Sequence, residues 1–364
     1  MIDKAPLRAY SPLPNPPKQA PRRMKAALFH EYGGPEVVRL EEVPDPAPGP
    51  GEVRIAVRAA AMNHLDLWVR RGLPIDIAMP HIGGSDIAGV VDAVGPGAAH
   101  VPVGARVVVD PSLDYDWYDG AAPGQSLPSR ELRIIGEHTP GGFADYAVVP
   151  AANVVEVPAD VLFEDAAAAS LVGVTAWHAV VVRGQVRPGE RVLVTGASGG
   201  VSTMAVQMAR HAGAVVYAVT SGAENVARVR ELGADVVYDR LEVDYGRALW
   251  KDTGRQGVDL IVDSVGAATW KSNLRALRQS GRLVCYGATT GPVGETSLPL
   301  LFWKKASILG STMGTPSDYR RTMQLVFDGV IRAPIDEVLP LERAREAHER
   351  LEAGEVFGKL VLRP

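Results

Sequence analysis

The stretch from Arg191 to Asp235 constrains this chain more than any other. An apolar run, Val192-Leu193-Val194, turns through Gly196-Ala197-Ser198-Gly199-Gly200-Val201 into a helix-like segment, Ser202 to Ala212. Gly213 and a second apolar run, Val215 to Val219, follow. Strand, glycine turn, helix and strand thus fall within the roughly 30 residues of a dinucleotide-binding βαβ unit. The glycines let the backbone approach a pyrophosphate, whose charge is met by exposed N–H groups and the positive end of the helix dipole. The G-x-G-x-x-G frame reads Ala197, Gly199 and Ser202, with extra glycines at Gly196 and Gly200. A glycine-rich turn alone can be an ordinary tight turn; the flanking strands and helix are what point to a dinucleotide.

At 364 residues the chain has room for two domains with cores of their own. A hydrophobic share of 46%, a charged share of 22% and a net charge of -4 give no electrostatic reason to expect nucleic acid or an anionic membrane. The single cysteine, Cys285, excludes an intrachain disulfide and a cysteine-cluster metal site, and its apolar run, Arg282 to Tyr286, suggests a buried strand. Gly, Pro or charge interrupts each apolar stretch before transmembrane length, so a cytoplasmic protein is expected. Residues 1–23 hold six prolines, end in Arg22-Arg23 and read as an extended tail without a signal-peptide core, with Met24 as a natural start.

From Met24 to about Val149, short β-like runs alternate with Gly/Pro turns: Ala26–Phe29, Val53–Val57, Ile87–Val94, Arg106–Val109 and Phe143–Val149. That punctuation suggests a partly closed β-barrel. From about Phe163 strands and helices alternate, with helices at Ala223–Leu232, Tyr245–Lys251 and Ala267–Gln279 and strands at Val236–Tyr238, Leu260–Val262, Arg282–Tyr286 and Ser307–Gly310. A doubly wound parallel sheet follows. Leu341–Leu351 reads as an amphipathic helix and Gly358–Leu362 as a final strand. Asp263, Gly266, Tyr286, Gly287 and Gly310 fall at parallel strand ends, where open α/β sheets bind ligands.

A β-rich domain before a dinucleotide-binding domain, with a short return, resembles the medium-chain dehydrogenase/reductase superfamily from Met24 onward. Supporting segments include Gly83-Gly84-Ser85-Asp86-Ile87-Ala88-Gly89, Gly141-Gly142-Phe143-Ala144-Asp145-Tyr146, Gly173-Val174-Thr175-Ala176-Trp177, Glu231-Leu232-Gly233-Ala234 and Phe357-Gly358-Lys359-Leu360-Val361. The resemblance implies an α/β protein with a GroES-like β-barrel catalytic domain (24–160 and 312–364) and a doubly wound Rossmann domain (161–311).

Zinc-dependent members of that superfamily carry three catalytic-metal positions, which here resemble Asn63, Ser85-Asp86 and Leu171. Thiolate, imidazole or carboxylate donors are needed at all three, so no zinc is expected. The lobe between Asp110 and Glu137 lacks the family's four cysteines and carries an acidic turn, Asp114 to Gly120, that does not fit an EF-hand. Asn63-His64-Leu65-Asp66 instead resembles the zinc-free quinone oxidoreductase branch. Enoyl reductase relatives have a tyrosine where this chain has Gly72-Leu73-Pro74.

The resemblance implies Asn63, Asp66, Thr175 and Ser85 as catalytic candidates, with Thr175 behind the nicotinamide ring. Asp66 could equally hold a helix cap; His64 could contact the pyrophosphate, and His81 and His178 read as structural. Cofactor candidates are Gly196, Ser198, Gly199, Gly200, Val201, Thr220, Ser221, Asn225, Arg228, Gly266, Tyr286 and Gly287. An NAD-selective domain ends its second strand with an acid, and Thr220-Ser221-Gly222 has none, so NADPH is expected, with NAD possible. Asn225 stands where the family's 2′-phosphate cation commonly sits, with Arg228 one turn on. The expected activity is metal-free reduction of quinones or α,β-unsaturated carbonyls by a homodimer or homotetramer; a non-catalytic nicotinamide-binding sensor is the alternative.

Overall fold

A computed structural model describes residues 22–113 and 132–364. The proline-rich tail before Arg22 and the acidic turn at Asp114–Gly120 lie outside the described residues. Arg23, read as tail, instead opens a strand, Arg23–Phe29, that pairs antiparallel with Arg39–Pro44.

The barrel is built around Glu52–Ala61, the longest of its strands. It pairs with Asp86–Val94, with Tyr146–Pro150 and with the C-terminal Lys359–Arg363. The alternation of Val53, Ile55 and Val57 (inside) with Glu52, Arg54 and Ala56 (less buried) follows the two-residue period of a strand with one core face. Because the last strand of the chain inserts beside this central strand, Lys359 lies in the barrel although it comes 296 residues after Asn63.

Six parallel strands form the second sheet, in the spatial order Val236–Asp239, Val215–Thr220, Arg191–Val194, Val258–Asp263, Leu277–Cys285 and Ser307–Gly310. Numbered along the chain, that is 3-2-1-4-5-6, the order of the dinucleotide-binding fold, with its switch point beside Arg191–Val194. All six residues of Val258–Asp263 are buried, as a strand covered by helices on both faces requires. The helix expected to Gln279 stops at Ala276, and the following strand starts early, at Leu277, with a register shift against Val258–Asp263. Ser280, at φ 59, lies within that irregular start. Cys285 is half-buried at the strand end, its Sγ 3.3 Å from the Gly287 carbonyl.

Between the two sheets runs Phe163–Trp177, a helix whose residues Ala166 to Ala176 are all buried. The helical segment Phe163–Arg183, at 21 residues, is long and apolar enough to span a bilayer, contrary to the sequence reading. It is the core helix of the fold: 72% of its most apolar window is covered by the rest of the chain. Its last turn, His178–Arg183, is a π-helix, with Gly184 N–H bonded to the Ala179 carbonyl.

Candidate active site

A cavity of about 400 Å³ opens where the barrel, the core helix and the Rossmann turn meet. Its barrel wall holds Asn63, His64, Leu65 and Trp68; the Rossmann wall holds Gly199 to Ser202, Tyr286 and Gly287. Leu171, Thr175, Met313 and Lys359 complete it.

Asn63 is the N-cap of the helix His64–Arg71. Its backbone N–H donates to Asp66 Oδ2 at 2.7 Å, and Asp66 Oδ1 accepts from the Gly84 N–H at 3.0 Å. This carboxylate therefore locks the cap to the Gly83-Gly84 turn, and it does not line the cavity. Burial pushes the Asp66 carboxyl up to about 7, against its two backbone donors and the charge of Lys359.

With its backbone held by Asp66, the Asn63 side chain is free to reach across the cleft floor. Its Nδ2 donates to Asp86 Oδ2 at 2.9 Å. Lys359 Nζ donates to Asn63 Oδ1 at 2.6 Å and to Asp86 Oδ2 at 2.9 Å. Asp86 Oδ1 accepts from the Leu171 N–H at 2.7 Å. Lys359 and Asp86 are 2% and 0% exposed, so this is a buried ion pair with an amide bridging it. Taking two charges out of water costs several kcal/mol per ion, which such a pair recovers only when its remaining hydrogen bonds are met. Here all but one are. Lys359 Nζ carries three N–H groups, and two are engaged.

The glycine turn is tied to this cluster. Gly358 N–H donates to the Ser198 carbonyl at 2.7 Å, which brings Lys359 over the first turn of the helix Gly200–His211. A Cβ on Gly200 would stand 2.9 Å from Lys359 Cδ, so the lysine stem occupies the space that glycine leaves. Gly196, at φ 57, makes the left-handed turn that a side chain resists. Val201 lines the cavity, and Ser202 Oγ and Tyr286 Oη meet at 2.7 Å on its wall. A pyrophosphate fits the open glycine backbone at the N-terminus of this helix.

Thr175 lines the cleft and donates from Oγ1 to the Leu171 carbonyl at 2.8 Å. Ser85 is fully buried, without a partner at Oγ, and does not face the cavity. Gly266 caps the helix Ala267–Ala276 at φ 80 and donates its N–H to Asp263 Oδ2, also outside the cavity. His81 bonds the Gly136 carbonyl and His178 bonds Asp318.

At the end of the second Rossmann strand, Asn225 Nδ2 donates to the Ser221 carbonyl at 3.0 Å. Arg228, expected beside the cofactor, has its guanidinium near Asp336 and Glu224 and 3.9 Å from the Phe357 ring centroid. The cation there is Arg240, whose Nε donates to Ser221 Oγ at 2.7 Å. Asp239 stands one strand over from Thr220, its Oδ1 accepting from the Leu241 N–H. Sequence reading missed Arg240 and Lys359 alike. Arg240 is 20 residues past Thr220, and only the pairing of the second and third strands returns it there. Lys359 did leave a signal, a charge immediately before the apolar run Leu360-Val361-Leu362 of the final strand.

The positions expected to face a zinc ion present an amide (Asn63), a buried hydroxyl beside a carboxylate already paired with Lys359 (Ser85-Asp86) and an alkyl chain (Leu171). Among the described residues no group of three or more His, Cys, Asp or Glu side chains could hold a metal ion. An ammonium bonded to Asn63 and Asp86 adds repulsion, so the donor set does not fit zinc.

Comparison with known proteins matches residues 49–159 to the alcohol dehydrogenase GroES-like domain and residues 200–328 to the zinc-binding dehydrogenase domain. An alcohol dehydrogenase of Geobacillus stearothermophilus is 32% identical over 93% of this chain and 99% of its own. A 2-haloacrylate reductase of Burkholderia sp and a quinone oxidoreductase of Homo sapiens are each 29% identical over 93% of this chain, and over 98% and 97% of their own. Among solved structures, an NAD-dependent alcohol dehydrogenase is similar with a TM-score of 0.88 and 39% identity over 94% of this chain and all of its own. The crotonyl-CoA carboxylase/reductase AntE in complex with NADP gives 0.84 and 28%, over 95% of each chain. The fold and site thus define a nicotinamide-dependent oxidoreductase. The chain belongs to the medium-chain dehydrogenase/reductase superfamily.

Proposed function

We propose that this chain is an NADPH-dependent reductase of quinones or α,β-unsaturated carbonyls that works without a metal. The observation that carries the reading is the Asn63–Asp86–Lys359 cluster, which fills the floor of the cleft with hydrogen-bond donors where a metal site would need ligands. The bound nicotinamide supplies a hydride. The protein's residues do the rest. Thr175 and Leu171 back the floor of the cleft, and Trp68, Leu65 and Met313 keep water from it. Negative charge on the substrate oxygen is met by the remaining Asn63 amide and Lys359 ammonium N–H groups, each held in place by Asp86. A saturated alcohol gives up hydride only to a site with a strong Lewis acid or base, and the donors here are neither; a quinone or enone accepts hydride readily because its anion is delocalised.

NADPH is favoured over NADH by Arg240 at Ser221 and by the lack of an acid at Thr220-Ser221-Gly222. Similarity to the 2-haloacrylate reductase, the quinone oxidoreductases and the NADP complex agrees with this substrate class and cofactor; similarity to alcohol dehydrogenases marks the competing one.

NADPH oxidation against a panel of quinones, enals and primary alcohols tests the reading. The expected result is reduction of quinones or enals, negligible alcohol oxidation, and turnover about 100-fold lower in Asn63→Ala with NADPH binding kept. Equal turnover in that variant makes Asn63 a structural cap. NADPH binding without any reduction favours the sensor instead.

A further inference from the structure

A second cavity, of about 490 Å³, adjoins the first around Thr312, which lines both. Leu132 borders it and Ile134, two residues on, borders the cleft. It gathers two basic side chains, His178 and Arg183, with the hydroxyls of Ser311, Thr312 and Thr315.

The π-turn at the end of the core helix brings these groups together. Its i→i+5 bonding, Gly184 to Ala179, widens the helix so that His178 and Arg183, five apart, line the same cavity. His178 Nδ1 is held by Asp318 Oδ2 at 3.0 Å, which leaves Nε2 for a ligand. Arg183 Nε is spent on the Gly310 carbonyl at 2.9 Å, so its two terminal nitrogens, which make no ion pair among the described residues, remain. Ser311 Oγ is buried without a hydrogen-bond partner. The loop carrying Ser311 and Thr312 packs against the core helix at its end: Met313 has a left-handed φ of 42, and a Cβ on Gly314 would stand 2.7 Å from Val174 Cγ2.

We propose that this second cavity binds the anionic end, a carboxylate or a phosphate, of a substrate whose reducible end lies in the cleft. The inference rests on the reductase reading for the cleft but on its own residues for the anion. With His178 as imidazolium its charge and that of Asp318 cancel, so Arg183 supplies the net positive charge and its guanidinium fork matches a carboxylate or phosphate. Ser311 adds a neutral donor.

Calorimetry on the NADP-saturated protein tests the anion site directly, because bound cofactor blocks its own phosphate positions. Hexanoate and hexyl phosphate are the two anionic probes and hexanol the neutral control. One or both anions should bind at least tenfold more tightly than hexanol. Arg183→Gln should remove that margin, and Ser311→Ala should lower it several-fold with an unchanged melting temperature. Equal binding of anion and alcohol, or an unaltered margin in Arg183→Gln, overturns the proposal. In a kinetic arm, an enone ending in a carboxylate should show a lower KM than its methyl ester in the parent only. If no enone or quinone is reduced, the reductase reading fails, and calorimetry still decides the anion site.

Discussion

The two halves of this molecule bury polar groups in opposite ways. In the Rossmann half, the buried carboxylate Asp263 sits at a strand end and accepts from Thr195, Thr269, Asn273 and the Gly266 N–H. No charge neutralises it and none is needed, because four donors replace its water. Below it the sheet is apolar from Val192 through Leu260 to Leu283, and the one buried acid near the start of the same strand, Asp259, pairs with the half-exposed Arg278 at 2.6 Å. The barrel half buries charge of both signs, Asp86 with Lys359 and Arg70 with the part-exposed Glu352 at 2.6 Å, and beside them a neutral imidazole, His348, whose Nδ1 finds no partner. Parallel strands covered on both faces tolerate polar atoms only at their ends. The barrel has one face toward the cleft, and its charges collect there and under the helix His64–Arg71. One half thus holds its buried carboxylates by neutral donors or at the strand start, whereas the other buries a fully enclosed ion pair, Asp86–Lys359, on the floor of the cleft.

The largest effect should come from breaking the Lys359–Asp86 pair. Lys359→Met leaves a carboxylate with 0% exposure opposite an alkyl chain, which costs about 3–5 kcal/mol. Adding Asp86→Asn removes the uncompensated charge, so the double variant should recover much of that loss. Urea unfolding of parent, single and double variants measures both steps. If the double variant is no more stable than Lys359→Met, the cost lies in lost packing against Gly200 and not in charge, and the contrast between the halves collapses.

Arg240→Gln probes the Rossmann half at its surface, where Arg240 meets Ser221. The dissociation constant for NADPH should rise about tenfold, or about 1.4 kcal/mol, with NADH unaffected. Cofactor fluorescence titrations read both. A parallel loss for NADH would mean that Arg240 supports the loop through Ser221 and does not read the phosphate.

Much of this was legible in the sequence, and the reasons for the misses differ. The parallel sheet was readable because each strand is a local apolar run closed by a glycine turn, and the observed strands fall within a few residues of the expected ones from Val215–Thr220 to Ser307–Gly310. The Leu277 strand start was not, because Leu277 to Gln279 continues a helical pattern that register with Val258 overrides. Asn63 could be singled out, but not its partners. Asp86 lies 23 residues away and Lys359 296, and no local pattern encodes that contact. Arg228 misled for the same reason, since its partner Asp336 comes from a strand of the barrel.

The smallest effect sharpens the comparison within the barrel itself, where two buried groups titrate with opposite sign. Burial holds the Asp66 carboxyl up at about 7, from an ordinary value of 3.8. A raised carboxyl contributes stability that is full below about pH 4 and is lost as pH climbs through 7. Burial, aided by Arg70, holds His348 down at about 3, from 6.5; its contribution is full above pH 6.5 and is lost as pH falls toward 3. The parent's own pH profile mixes the two slopes, but the difference between parent and Asp66→Asn cancels His348 and isolates Asp66. Asparagine can keep one of the two backbone bonds, from Asn63 or from Gly84, and has no charge to bury. The variant should therefore be less stable than the parent at pH 5, and the gap should narrow by about 1 kcal/mol or more by pH 8, against a ceiling of about 1.4 kcal/mol per pH unit. Urea unfolding at the two pH values measures it. A gap that stays constant between pH 5 and pH 8 would mean that the two N–H donors outweigh burial and keep Asp66 ionised across that range, a carboxylate held by donors alone.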